Sequence, residues 1–391
     1  MERRENAYLT IILFGIISLL GDVVYEGVRS ISGPFLASLG ATSLVIGFFS
    51  GLGEFLTQSL RLLFGYISDK KRIYWIFTIT GYSLICFLPL CGIANSWQIV
   101  VFLLLLERIG KAIRTPSRDT LISFAGKEIG VGKSFGIHEV FDQIGAVLGP
   151  LIFFFSLKRF KTYSVGFNIM WIPSIFLIFT LIILRKMYIY DEEMTKKEIQ
   201  TEGFSRKVFI FYILFVLFST AGLLNFPLIS YHIKKTGIMD ESHIPILYLL
   251  AMGIDGLFAF FVGSLYDRIK LKILFIVPLL SIFLPFFCFS ISSVLIVFSV
   301  LFYGIIIGCH ETVLRAAIAD VISPSKRGFA YGIFNTIYGF GFLISGWIIG
   351  FLYEKSINQI YFYIILTEII SLFFILSLVF KKYGMAKNRK S

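Results

Sequence analysis

Twelve apolar stretches dominate the chain, each close to the roughly 20 residues a helix needs to cross the hydrocarbon core of a bilayer. They fall at 7–32, 43–67, 73–94, 97–122, 134–157, 163–185, 207–232, 244–266, 271–291, 294–321, 328–352 and 359–380. In lipid every backbone N–H and C=O must find a partner inside the protein, so stretches of this kind fold as α-helices. Of 391 residues, 57% are hydrophobic and 15% charged, where a soluble domain carries about a quarter charged. The chain is therefore expected to be an all-α membrane protein with twelve transmembrane helices. Its formal net charge of +12 does not point to nucleic acid, because the basic residues sit at span ends, where membrane topology places them. The first apolar run is too long for a cleaved signal and no small-residue cleavage site follows it, so it is expected to remain as a span.

Orientation follows from Lys and Arg. With the N-terminus inside, twenty-four of the thirty-six fall on the cytoplasmic side or at cytoplasmic span ends, six outside and six deep within spans. That asymmetry predicts a multi-pass protein of the cell membrane with both termini cytoplasmic. The most polar interruption carries Asp191, Glu192, Glu193, Lys196, Lys197 and Glu198. It predicts an N-terminal six-helix bundle over 1–185, a cytoplasmic central loop over 186–206 and a C-terminal six-helix bundle over 207–391.

The two halves repeat. Gly65, Asp69 and Lys70 end the second span, and Gly263, Asp267 and Arg268 end the eighth, 198 residues later. Arg118 and Arg315 are 197 apart, and the pairs Phe135-Gly136 and Tyr331-Gly332 are 196 apart. A near-constant offset of half the chain marks a transporter built from duplicated bundles, with substrate bound near the midplane between them.

These landmarks resemble the major facilitator superfamily over essentially the whole chain. The family's loop motif, Gly-x-x-x-Asp-Arg/Lys followed by further basic residues, is matched by Gly65, Asp69, Lys70 and Arg72, and again by Gly263, Asp267 and Arg268. Its glycine lets two helices approach, and its aspartate can pair with a span-end arginine to latch the cytoplasmic side. The family's usual second glycine after the Asp-basic pair is absent. The fifth span resembles a pattern of proton-coupled exporters through Gly136, Gly145, Gly149 and Pro150, a packing face and hinge, with Phe153-Phe154 where that pattern ends in Gly-Gly. Arg114-Thr115-Pro116 and Arg118-Asp119, with Phe135-Gly136 and His138, resemble an uncharacterised permease branch near the drug/proton antiporters. The resemblance implies two pseudo-symmetric six-helix bundles and a secondary active transporter that moves a small molecule by alternating access, as proton-coupled export. No nucleotide-binding Gly-rich loop, metal-ligand cluster or Ser/His/Asp arrangement is present in the sequence, so no enzyme activity and no cofactor are expected; protons are expected as coupling ion, and a monomer in the lipid bilayer. Two alternatives stand beside export: uptake of a small organic anion, and a non-transporting membrane sensor on the same fold.

Charge inside the spans marks the candidate site, because an ionisable group at membrane depth is costly unless paired or facing a wet cavity. Asp22, Glu26 and Arg29 lie at i, i+4 and i+7, on one helical face. One reading makes Asp22 or Glu26 the proton or substrate group with Arg29 tuning it. The other makes Glu26 and Arg29 an external gate pair. Glu54, Gln58 and Arg61 share a second such face, with Glu54 the functional candidate. On the fourth span Glu107, Lys111 and Arg114 share a face and Arg108 points elsewhere. Glu139 and Asp142, beside His138, place acids opposite those bases. The proton-coupling or substrate set is thus Asp22, Glu26, Arg29, Glu54, Arg108, Lys111, Glu139 and Asp142. The latch set is Gly65, Asp69, Lys70, Arg72, Arg114, Arg118, Gly263, Asp267 and Arg268, with Arg114 or Arg118 expected to hold Asp69. The second half has fewer charges, Asp255, His310, Glu311, Arg315 and Glu368, and the i, i+4 spacing predicts a Glu311–Arg315 pair. Cys86, Cys91, Cys288 and Cys309 lack ligand spacing and read as small core residues, so no metal site is expected.

Overall fold

The structure, a computed structural model, describes residues 2–188, 206–321 and 327–387. Most of the expected central loop, 189–205, lies outside the described residues, as do Lys326 and the basic residues beyond 387. Fourteen helices among the described residues compose the twelve spans. Among the first eight spans, six are a single helix: α1 (Glu2–Ser38), α2 (Ser43–Lys71), α4 (Trp97–Ala125), α5 (Val131–Phe160), α6 (Tyr163–Met187) and α9 (Ile244–Ile269). The last two, α13 (Arg327–Lys355) and α14 (Ile357–Lys387), are also continuous. Span 3 is α3 (Tyr74–Ile85) followed by a 3-10 turn, Leu88–Ile93, that begins at Pro89. Span 7 is broken into α7 (Arg206–Ala221) and α8 (Phe226–Thr236). Span 9 enters through a 3-10 turn into α10 (Ile276–Cys288), and span 10 joins α11 (Ser293–Cys309) to α12 (Arg315–Val321) through a π-turn, His310–Leu314.

Ten of these spans are long and apolar enough to cross a membrane on composition alone. The other two, α2 and α4, are 29 residues each; α2 carries Glu54 and Arg61 within its length, and α4 carries Glu107, Arg108, Lys111, Arg114 and Arg118. Pro34 lies inside α1. The helix runs one further turn to Ser38, and Gly40, at φ 85°, makes the reversal.

The chain forms two compact units. One comprises Met1–Ala41, Leu56–Lys196 and Asp240–Leu249; the other comprises Thr42–Phe55, Lys197–Met239 and Leu250–Ser391. Each is mostly one sequence half, and each takes in a short stretch of the other half. In the second unit the first turns of α2 lie on α13, backbone to backbone: a Cβ on Gly47 would stand 2.1 Å from the Gly346 carbonyl oxygen. In the first unit the turn before α9 is anchored by Asp240, which pairs with Lys161 at 3.4 Å and caps its own turn by accepting from the Ser242 backbone N–H at 3.0 Å. Hydrogen bonds from the Ser242 hydroxyl and backbone hold the Asp240 carboxyl down to about 2.

The internal repeat is visible in backbone geometry. Arg72 and Lys270, 198 residues apart, both end their spans at φ 53°. A basic residue takes the left-handed position that glycine usually fills, which is how this chain dispenses with the family's second glycine. A Cβ on Gly65 would lie 3.4 Å from Pro116 Cβ of α4, and one on its counterpart Gly263 would lie 3.4 Å from Thr312 Cγ2.

In the first unit α1 and α5 approach most closely. A Cβ on Gly145 would meet the Leu19 carbonyl oxygen at 2.5 Å, and one on Gly149 would meet the Val23 carbonyl oxygen at 2.4 Å. Lipid supplies no hydrophobic drive between helices, so close backbone packing of this kind holds them together. α5 continues through Pro150 as helix. A Cβ on Gly136, the remaining glycine of that pattern, would meet nothing within 4 Å, so this position does not serve close packing here.

Candidate functional site

The tight α1–α5 seam fixes one face of α1, which carries Asp22, Tyr25, Glu26 and Arg29, against α4. Tyr25, 2% exposed, is the centre of the group. Its phenol oxygen accepts from Arg108 Nη1 at 2.7 Å and from Arg29 Nη1 at 2.9 Å. Lys111 Nζ stands 4.2 Å from the ring centroid, and the guanidinium carbons of Arg108 and Arg29 stand at 5.1 and 5.8 Å. Three cations therefore share one phenol, through its oxygen and through its negative π-face, each ring contact worth up to about 2 kcal/mol where water is excluded.

Acids border this cluster on several sides. Glu26 lies 3.9 Å from Arg29 and accepts a hydrogen bond from the Tyr248 hydroxyl. Asp22 is half-buried, with its Cβ against Gly145, and interacts electrostatically with Asp142, Glu26, Lys111 and Arg114. Glu107 bridges two bases, Arg114 Nη1 at 3.6 Å and Arg108 Nε at 3.9 Å. Glu107 and Arg114 are 2% and 3% exposed, and Arg114 also lies over the Tyr82 ring at 5.1 Å. This is a buried structural pair: removing either partner leaves an uncompensated charge.

On α5, His138 Nδ1 lies 3.4 Å from Asp142. Glu139 is exposed, takes a hydrogen bond from Gln143 at 2.9 Å, and faces an apolar groove with Val140, Ile144 and Val147. The structure thus brings Asp22, Glu26, Arg29, Arg108, Lys111 and Asp142 together and leaves Glu139 apart. Glu54 belongs to the other unit, where it interacts electrostatically with Tyr338, as do Glu311 and Arg315.

The latch residues divide in the same way. Arg114 is committed to Glu107, and Arg118 to Asp119 at 2.8 Å and the Ser18 hydroxyl at 3.4 Å. Asp69 is exposed and has no ion pair among the described residues, so the expected Asp69 pairing is not made here. Lys70 rests over Tyr66, and Arg268 is exposed. The Asp267 side chain lies outside the described ones. The expected Glu311–Arg315 pair is also absent among the described residues. Both residues fall at the π-turn, whose wider turn removes the i, i+4 register that the pairing needs.

Sequence reasoning missed Tyr25 and Tyr248. Tyr25 had a readable signal, since it precedes Arg29 by four residues on the acidic face of α1. Tyr248 had none, as its partner lies 222 residues away. Among the described residues no group of three or more His, Cys, Asp or Glu side chains is placed to hold a metal ion.

Twelve spans in two repeats, with charge concentrated on spans 1, 4 and 5, define a polytopic transporter-type fold. The family model of the Major Facilitator Superfamily matches residues 12–310 and 210–390, and the chain belongs to that superfamily. An uncharacterized protein of Mycobacterium tuberculosis, Rv2265, is 35% identical over 376 residues, covering 94% of this chain and 92% of its own. The uncharacterized MFS-type transporter MJ1317 of Methanocaldococcus jannaschii is 31% identical over 387 residues, covering 95% and 94%. Among solved structures, the nucleoside transporter NupG superposes with a TM-score of 0.70 at 14% identity, covering 95% of this chain and 98% of that one. A POT family transporter in complex with a thioalcohol-conjugated peptide gives 0.71 at 14%, covering 95% and 96%. At those identities the likeness is one of fold.

Proposed function

We propose that this secondary transporter couples protons to the movement of a small molecule bearing a negative group, with spans 1, 4 and 5 holding both. The observation that carries the reading is the Tyr25 cluster, in which Arg29, Arg108 and Lys111 converge on one phenol beside the acids Asp22 and Glu26. When Asp22 is ionised, Lys111 is drawn to it. When Asp22 takes a proton, Lys111 and its neighbours are released to a substrate's carboxylate or phosphate. Proton and anion then bind together, which favours co-transport over the exchange that an exporter of the antiporter type requires. Two solved structures of the same fold are named for small-molecule cargo: NupG as a nucleoside transporter, and a POT family transporter in complex with a peptide conjugate.

Glu139 remains a candidate for proton entry from the exposed face of α5, and Glu54 for a coupling role in the other unit. Asp69 with Arg114 or Arg118 remains the proposed latch of the state closed at the cytoplasmic ends, in a membrane where both termini face the cytoplasm. The proposal takes the working unit to be a monomer.

The test uses proteoliposomes containing a trapped pH-sensitive dye. A panel of small carboxylates and phosphate esters, with uncharged counterparts, is added outside. An anion is expected to draw protons inward with it, and Asp22→Asn is expected to abolish that proton movement while anion counterflow continues. Proton movement in the opposite direction to the substrate would establish exchange instead. Equal transport of uncharged counterparts with undisturbed coupling in Asp22→Asn refutes the proposal.

A further inference from the structure

Away from the Tyr25 cluster, in the second unit, one acid is wholly enclosed. Glu368 of α14 is 0% exposed. Neither of its carboxylate oxygens has a hydrogen-bond partner among the described residues, and the buried hydroxyls of Ser281 and Ser371 are also without one. Ser281, on α10, is the side chain that interacts with it. Tyr363, one turn earlier on α14, is the titratable group in electrostatic contact with it. No charged residue on the packed helices α7, α10 or α13 acts on it among the described residues.

Its position gives this acid a context. Residues 207–236 form one apolar stretch of 30 residues, yet the helix is interrupted between Ala221 and Phe226. Glu368 sits at that interruption. A Cβ on Gly222 would lie 2.6 Å from Glu368 Oε1 and 2.5 Å from Thr367 Oγ1, so the glycine is what admits the carboxylate. The interrupted backbone is served by neighbouring spans: the Tyr363 hydroxyl donates to the Ala221 carbonyl at 2.9 Å, and the Ser345 hydroxyl donates to the Leu223 carbonyl. Asn225 caps the following half-helix, accepting from the Leu228 N–H at 3.1 Å.

An ionised carboxylate in a dry interior with no counter-charge is strongly disfavoured. The neutralising partner must therefore be a cation small enough for an enclosed site of oxygen atoms. The Glu368 carboxylate and the Ser281 hydroxyl, beside the interrupted helix at Gly222, are hard-oxygen donors of the kind that hold protons or sodium in transporters with broken helices. We propose that Glu368, seated at the break of span 7, is a loading site for one monovalent cation, a proton or a sodium ion. Loading removes the charge that otherwise destabilises the join between α7 and α8, which ties cation occupancy to the geometry of span 7.

The test uses the full-length protein in lipid nanodiscs, with two readouts. In infrared difference spectra, the proton form shows the carbonyl stretch of a buried protonated carboxyl, and Glu368→Gln removes that band. In thermal unfolding at constant ionic strength, the sodium form shows a saturable rise in Tm when sodium replaces potassium. Glu368→Gln abolishes that rise, and Ser281→Ala weakens the sodium half-saturation by about ten-fold or more. Either pattern supports the site and says which cation fills it. An infrared band and a sodium response that are both unchanged in Glu368→Gln overturn it. Should Glu368→Gln not purify as a monodisperse protein, Ser281→Ala and Ser371→Ala carry the decision. A shifted band or sodium midpoint in either supports the site, and unchanged values in both overturn it.

Discussion

Substituting alanine at Gly149 tests the seam on which the candidate site depends. The added Cβ would lie 2.4 Å from the Val23 carbonyl oxygen, 2.6 Å from Gly27 N and 3.0 Å from Gly27 Cα. All three are backbone atoms of α1, so no side-chain rotation relieves the clash. Restoring ordinary van der Waals separation requires the two helices to part by about 1 Å. Overpacking costs about 1–3 kcal/mol, and a clash confined to backbone belongs at the upper end. For a unit of this size, about 3 kcal/mol corresponds to a fall of about 6–12 °C in Tm. Two further glycines calibrate the estimate. Gly27→Ala meets Met170 Cε at 2.9 Å, a flexible tip that can move, and the Gly149 carbonyl oxygen at 3.0 Å, so a loss of about 1–2 kcal/mol is expected. Gly136→Ala meets nothing within 4 Å and should gain about 0.5–1 kcal/mol from the lower chain entropy of alanine. The assay is tryptophan-fluorescence melting of the purified variants at one fixed scan rate, because unfolding of such proteins is commonly irreversible. The expected order of Tm is Gly136→Ala highest, then Gly27→Ala, then Gly149→Ala. Gly149→Ala melting with the wild type, or Gly136→Ala falling below it, would show that the α1–α5 approach does not bear the load assigned to it.

Glu107→Gln should destabilise the protein by about 3–5 kcal/mol, because it strands the buried Arg114 guanidinium. The double variant Glu107→Leu/Arg114→Leu should recover most of that loss, as compared by melting and by yield. Tyr25→Phe keeps the ring beneath Lys111 but removes the oxygen that orders Arg29 and Arg108. Each such charged hydrogen bond is worth about 1.5–3 kcal/mol, so the half-saturation for an anionic substrate should rise roughly ten-fold in counterflow assays. Asp240, held down to about 2 by Ser242, contributes stability above the ordinary carboxylate value near 4 and loses it as pH falls through about 2. Between pH 4 and 2 the Tm of Asp240→Asn should therefore vary less with pH than that of the wild type, and equal slopes would count against the cap.

What the amino-acid order alone determines is whatever depends on local chemistry. The twelve spans follow from hydrocarbon thickness and backbone satisfaction, and the duplicated span ends were legible because Gly65 and Gly263 recur at a constant offset. The identity of the charge-bearing spans was equally plain, since Asp22, Glu26, Arg29, Arg108 and Lys111 interrupt otherwise apolar helices. Pairing was not legible. Helical periodicity places residues on a face but does not say which neighbour that face meets, so Arg114 went to Glu107 within its own helix and not to Asp69. The three glycines of span 5 look alike in sequence, yet Gly145 and Gly149 meet α1 and Gly136 meets nothing. A π-turn at His310 displaced Glu311 from Arg315 without any signal in their spacing. Tyr25 became a centre only when α4 brought Arg108 and Lys111 to it, and the break at Gly222 acquired meaning only when α14 laid Glu368 against it. Side-chain contacts across helices depend on distances of a few ångströms set by packing, and only the tertiary structure decides those.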